Sequence, residues 1–164
     1  MCTNRNSFKG NKEPVNCDTA KQQPSKIGFR FIDHPSDVGM QINGETLVEL
    51  FLNAAKGMLS IVSDRTGTNE GEQLVSKQLH IKEDSPEELL HSFLSEILWL
   101  IIDELFFPFR IQICTATSLS IEVILEGVLL KKEDLRTEVK AVTYHQLHIC
   151  KRKGLYSTKL IFDV

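Results

Sequence analysis

The strongest constraint on this chain lies between Ser85 and Leu105. Leu89, Leu90, Phe93, Leu94, Ile97, Leu98, Ile101, Ile102 and Leu105 recur there at three- and four-residue spacing. A helix with this pattern is apolar around most of its circumference, so it has to be the central one, enclosed on several sides. Ser85, Pro86 and Glu88 supply an N-cap, a first-turn proline and the far partner of a capping box. The longest uninterrupted apolar run, Ile97–Ile102, falls far short of the ~20 residues needed to cross a bilayer. A chain of 164 residues can bury roughly 70% of its unfolded surface, enough for a core without disulfides or a structural metal.

A second helix is predicted from Thr46 to about Ser63. Thr46 and Glu49 form a capping box, and Leu47, Leu50, Phe51, Ala54, Met58 and Val62 fall on one face. Strands are expected around Gly28–Phe31, Val38–Asn43, Gln73–Lys82, Phe109–Thr115, Leu119–Leu125, Lys140–Thr143, Leu147–Arg152 and Leu155–Phe162. Val38, Met40 and Ile42 alternate with Gly39, Gln41 and Asn43, the period-two signature of a half-buried strand. Pro108 should lie just beyond the second helix, and 64–72 and 126–138 read as loops. Helices interleave with strands, but the C-terminal half is hairpin-connected. The predicted class is a single α+β domain over 27–164, with a mixed or antiparallel sheet packed on two main helices.

Residues 1–26 hold almost no aliphatic side chains and are expected to be a disordered polar extension. Their five basic residues against two acidic ones give a net charge of +3, whereas the remainder, with 14 basic and 20 acidic, carries −6. An acidic body does not grip nucleic acid through its phosphates, so RNA should enter only through a partner. Cys2, Cys17, Cys114 and Cys150 form no C-x-x-C pair and no zinc-type spacing. They point to a reducing, intracellular setting, and Cys114 and Cys150 read as small strand hydrophobes. His80 and His91 read as surface or boundary residues.

General catalytic signatures are absent: the sequence has no nucleophile elbow, Walker loop, H-E-x-x-H or dinucleotide fingerprint. Two places stand apart. Asp33-His34-Pro35-Ser36-Asp37 packs two carboxylates and an imidazole into one turn, although Asp and Ser are also ordinary turn formers. The chain then stops at Phe162-Asp163-Val164, where an apolar strand sets the Asp163 carboxylate beside the Val164 α-carboxylate. Two fixed anions repel, and a hard divalent cation bound through oxygen would relieve that repulsion. A third carboxylate from elsewhere would complete such a site.

Here the residues resemble a known family. Phe31-Ile32-Asp33-His34-Pro35-Ser36-Asp37-Val38-Gly39, followed by Gly44-Glu45-Thr46-Leu47, resembles the opening motif of the archeases. Glu138-Val139-Lys140-Ala141-Val142-Thr143-Tyr144-His145 is similar to their K-A-[VI]-T-Y-H signature, and Asp163-Val164 matches their terminal D-[VIL]. The motifs occur in order from about residue 28 to the last, covering everything except the tail.

The resemblance implies an accessory protein rather than an enzyme, one that promotes guanylylation and multiple turnover of the RtcB-type RNA ligase of tRNA splicing. It implies a metal held by the second Asp of the opening motif, the penultimate Asp and the terminal carboxylate, here Asp37, Asp163 and Val164. All-oxygen donors suit Ca²⁺, Mg²⁺ or Mn²⁺ and disfavour Zn²⁺. The expected location is cytoplasmic. Asp33 does not carry over as a ligand, and Tyr144 and His145 carry over without a role. Pro35-Ser36 stands where the family has Thr-Ala, and Leu130–Arg136 lacks the histidine that the family often has before its signature. The rival readings are a stand-alone metal-dependent phosphoesterase or nucleotide hydrolase, and a chaperone-like binding module whose carboxylates only cap structure.

Overall fold

The computed structural model describes residues 27–164; the tail reading for 1–26 lies outside the described residues. Two capped helices organise the rest. Helix α1, Leu47–Val62, starts where the Thr46 hydroxyl accepts from the Glu49 N–H at 3.1 Å. The return arm of this box reaches one residue further back than in the standard motif, with the Glu49 carboxylate accepting from the Glu45 N–H at 2.7 Å. Helix α2, Pro86–Glu104, is capped by Ser85 in the same way. Eight of its side chains, from Leu89 to Ile101, are buried, as its periodicity requires, while Trp99 and Ile102 remain exposed.

All strand pairings are antiparallel. The first sheet runs in the order β1 (Gly28–Ile32), β2 (Val38–Gly44), β8 (Leu155–Asp163), β6 (Ala141–Thr143), with β7 (Cys150–Arg152) also pairing to β8. The second comprises β3 (Val75–Lys82), β5 (Ser120–Leu129) and β4 (Phe106–Ala116), with β5 central. α1 packs mainly on β2 and α2 on β4 and β6, and each helix touches strands of both sheets. Phe51 and Phe93 stack between the helices at 5.8 Å. At Gly57 the helix backbone comes so close to β2 that a Cβ would lie 2.6 Å from Met40 Sδ. The core draws on both helices and both sheets, with Met40, Leu50, Phe93, Phe106 and Phe162 fully enclosed.

Several sequence expectations are corrected. β2 is not half-buried: Gln41 and Asn43 are buried alongside the fully enclosed Met40 and Ile42. Gln41 is accommodated because its amide donates to Ser157 Oγ at 2.8 Å and Thr158 O at 3.0 Å, which satisfies the buried group. Pro108 lies inside β4 rather than before it. A proline fits there because β4 is an edge strand and its register on β5 shifts between Pro108 and Arg110. β4 begins directly after α2 because Leu105, in the left-handed region at φ 54°, turns the chain in one residue. β5 continues to Leu129, and Leu74 is exposed outside β3. Cys114 and Cys150 are half-buried rather than enclosed.

Candidate functional site

The β2–β8 ladder fixes the site. Its last register pair is Val38 with Phe162, so the next residues outward along the two strands are Asp37 and Asp163. On the other side of β8, Asp163 faces Ala141 of β6. The end of β8 is thus held between the start of β2 and the start of β6. The turn joining β1 to β2 brings Asp37 to that end, and both carboxylates are partly open to solvent.

Two basic groups border these carboxylates. His34 Nδ1 lies 3.1 Å from Asp37 Oδ2. The approach is too bent for a hydrogen bond, and this buried nitrogen has no hydrogen-bonding partner. Lys140 is tied down at its backbone, where its N–H donates to Asp163 O at 2.8 Å. Its ammonium donates to the Val164 oxygen at 2.9 Å and lies 3.9 Å from Asp163 Oδ1. The rings of His34 and His145 meet edge to face at 6.4 Å, which brings the opening turn against the segment that follows β6.

Asp163 and Val164 thus both lie beside the Lys140 ammonium, and register brings Asp37 to the same sheet end. Asp33 is exposed. Tyr144 is largely exposed but stacks on His91 at 3.7 Å, and His91 Nε2 lies 2.9 Å from Val142 O. That contact makes His91, a half-buried boundary residue as expected, a joint between α2 and β6. His34 belongs to the turn already singled out in the sequence, whereas Lys140 is a site neighbour with no role assigned from sequence. The available signal for Lys140 was its position at the head of the Lys-Ala-Val-Thr-Tyr-His run.

The loop between β5 and β6 closes α1. The Arg136 N–H donates to Val62 O at 2.8 Å, and its guanidinium pairs with Asp64. Lys132–Asp134 forms a single 3₁₀ turn in which Asp134 Oδ2 accepts from the Lys131 N–H at 3.0 Å. No helix among the described residues is long and apolar enough to cross a membrane.

The model of the Archease protein family (MTH1598/TM1083) matches residues 29–164, which contain both helices and every part of this site. The chain belongs to the archease family. It is 32% identical over 142 residues to the archease of Methanosarcina barkeri, covering 83% of this chain and 95% of that protein. With the archease of Methanothermobacter thermautotrophicus it shares 31% identity over 147 residues, 84% of this chain and 99% of the relative. Among solved structures, that of Methanobacterium thermoautotrophicum protein 1598 superposes with a TM-score of 0.64 at 29% identity, covering 84% of this chain and 99% of that one. The crystal structure of a Thermotoga maritima archease, described as a possible chaperone, shares the fold with a TM-score of 0.59. It is 21% identical and covers 90% of this chain and 100% of that chain. In this archease-family chain the three motifs, far apart in sequence, meet at one end of one sheet.

The donor chemistry bears on the metal that the sequence resemblance leads one to expect. Asp37, Asp163 and Val164 offer oxygen only, the preference of a hard divalent ion. Among the described residues no three His, Cys, Asp or Glu side chains cluster closely enough to hold a metal. A site here thus needs the Val164 oxygen as its third donor. Two of the three donors already converge on one positive charge, the Lys140 ammonium. The residues fit a cation.

Proposed function

We propose that this protein is a metal-binding accessory factor that activates an RtcB-type RNA ligase in tRNA splicing. In this reading it promotes guanylylation of the ligase and its return for further rounds, and it turns nothing over itself. Asp37, Asp163 and the Val164 carboxylate are the ligands. One observation carries the reading: the opening turn, the Lys140 signature and the last two residues share one sheet end around carboxylates that already attract a cation. A bound divalent ion would supply concentrated positive charge among these carboxylates.

The chain's own contribution is placement. β8 fixes Asp163 between β2 and β6, and the short β1–β2 turn limits where Asp37 can move. His34 lines the same turn, and Tyr144 with His91 braces β6, the strand that Lys140 precedes. An accessory protein changes the ligase's equilibrium only by binding its guanylylation-competent state more tightly than the other. The setting proposed is the cytoplasm, with RNA reached only through the ligase.

The test is nucleotide transfer from GTP to a cognate ligase, and multiple-turnover RNA joining, with and without this protein. The wild-type protein is expected to stimulate both. Asp37→Ala and Asp163→Ala are expected to lose most stimulation and metal binding while keeping their circular-dichroism spectra. Full stimulation by both variants would overturn the metal-dependent mechanism. Phosphoester or nucleotide hydrolysis by the protein alone would replace it with an enzymatic one.

A further inference from the structure

We infer that Lys140 is a tethered counter-ion of the carboxylate site, which a divalent cation must displace and which keeps monovalent cations out. The inference rests on the metal reading above and adds the rule by which the site selects its ion. Lys140 is held from two directions: its backbone N–H on Asp163 O at 2.8 Å, and its ammonium on the Val164 oxygen at 2.9 Å. The ammonium also lies 3.9 Å from Asp163 Oδ1, so it stands against two of the three proposed ligands. The backbone bond fixes the base of the side chain, while the four-carbon stem leaves the charge free to swing. More than half of the Lys140 side chain is solvent-exposed, so an open path for that swing exists.

Charge decides the outcome. Asp37, Asp163 and the Val164 carboxylate sum to −3, and the resident ammonium lowers this to −2. A monovalent ion entering in place of the ammonium exchanges one unit charge for another, and it also gives up the advantage of a tethered competitor. A divalent ion doubles the attraction to the same oxygens, which offsets the loss of the ammonium contacts. Lys140 is therefore a specificity-determining residue, and its displacement exposes a primary amine that is engaged in the metal-free protein.

The experiment measures Ca²⁺ binding calorimetrically to the full chain and to Lys140→Met, with Lys82→Met as a control at an exposed strand end. Removing a competing exposed charge should tighten Ca²⁺ binding on the order of tenfold in Lys140→Met, while Lys82→Met stays within about twofold. Replacing K⁺ by choline at constant ionic strength should tighten Ca²⁺ binding to Lys140→Met and leave the wild type unchanged. Acylation of Lys140, followed by mass spectrometry, should rise when Ca²⁺ is added. Wild-type binding with Lys140→Met equal or weaker, or acylation that falls with Ca²⁺, overturns the counter-ion role and leaves the metal reading intact. Absence of Ca²⁺ binding by all three proteins overturns both.

Discussion

Truncating Phe162 to alanine is expected to be among the most damaging single changes in the protein. Phe162 is fully buried and sits one residue before Asp163. It pairs in register with Val38 of β2 on one side and Val142 of β6 on the other. A phenylalanine buries on the order of 150–250 Å². At about 25 cal/mol per Å² that corresponds to roughly 4–6 kcal/mol for the whole side chain. Alanine keeps its Cβ, and the surrounding core relaxes only in part, so the loss should be about 3–5 kcal/mol. Urea unfolding followed by far-ultraviolet circular dichroism should show the unfolding free energy falling by that amount, as a lower midpoint at unchanged slope. Phe162→Leu, which retains most of the volume, should lose less than about 2 kcal/mol. A loss below about 1.5 kcal/mol for Phe162→Ala would mean that the residue is not the shared anchor of β2, β8 and β6, and the account of what holds the site would fail.

Three further perturbations test other parts of the structure. Thr46→Ala removes the acceptor for the Glu49 N–H and should cost about 1 kcal/mol in urea unfolding, whereas Thr46→Ser should be near neutral. The Glu72 carboxyl is held below the usual glutamate range, chiefly by the Asn69 N–H and further by Arg65, with burial opposing. A depressed carboxylate contributes stability above its unfolded pKa and loses it as pH falls through the folded value. A carboxyl-detected NMR titration should therefore place the Glu72 midpoint below that of an unperturbed glutamate, and a midpoint at or above it would refute the assignment. Adding residues after Val164 converts its carboxylate to an amide. It should weaken Ca²⁺ binding in calorimetry and reduce ligase stimulation without lowering the melting temperature.

The elements most legible in the sequence were those whose signals are local. Thr46 with Glu49, and Ser85 with Pro86 and Glu88, mark helix starts because the capping partners lie within one turn. The enclosure of α2 follows from its own periodicity. Pro108 was misplaced because its fit depends on β4 being an edge strand, a property set by the sheet rather than the segment. Gln41 and Asn43 read as solvent-facing because alternation reports side-chain polarity. The Gln41 amide finds its partners on a strand more than 110 residues away. The same distance effect governs the site. Asp163 and Val164 are neighbours in sequence, so their pairing could be reasoned from spacing, but Asp37 joined them only through family resemblance. Lys140 belongs to the Lys-Ala-Val-Thr-Tyr-His run, yet its ammonium contacts emerge only once β6 and β8 are in register.

β8 has a consequence for how the molecule comes into being. It is the strand to which β2, β6 and β7 all pair, and every other strand precedes it in the chain. During synthesis the first sheet must wait with its centre missing, because no earlier strand can bridge β2 to β6. The β3–β5–β4 sheet can form beforehand, since its partners are already present. Maturation of the first sheet is thus a late, long-range event of the kind that slows folding. A nascent chain interrupted before β8 would carry Asp37 but lack Asp163 and Val164, and could not assemble the surface around them.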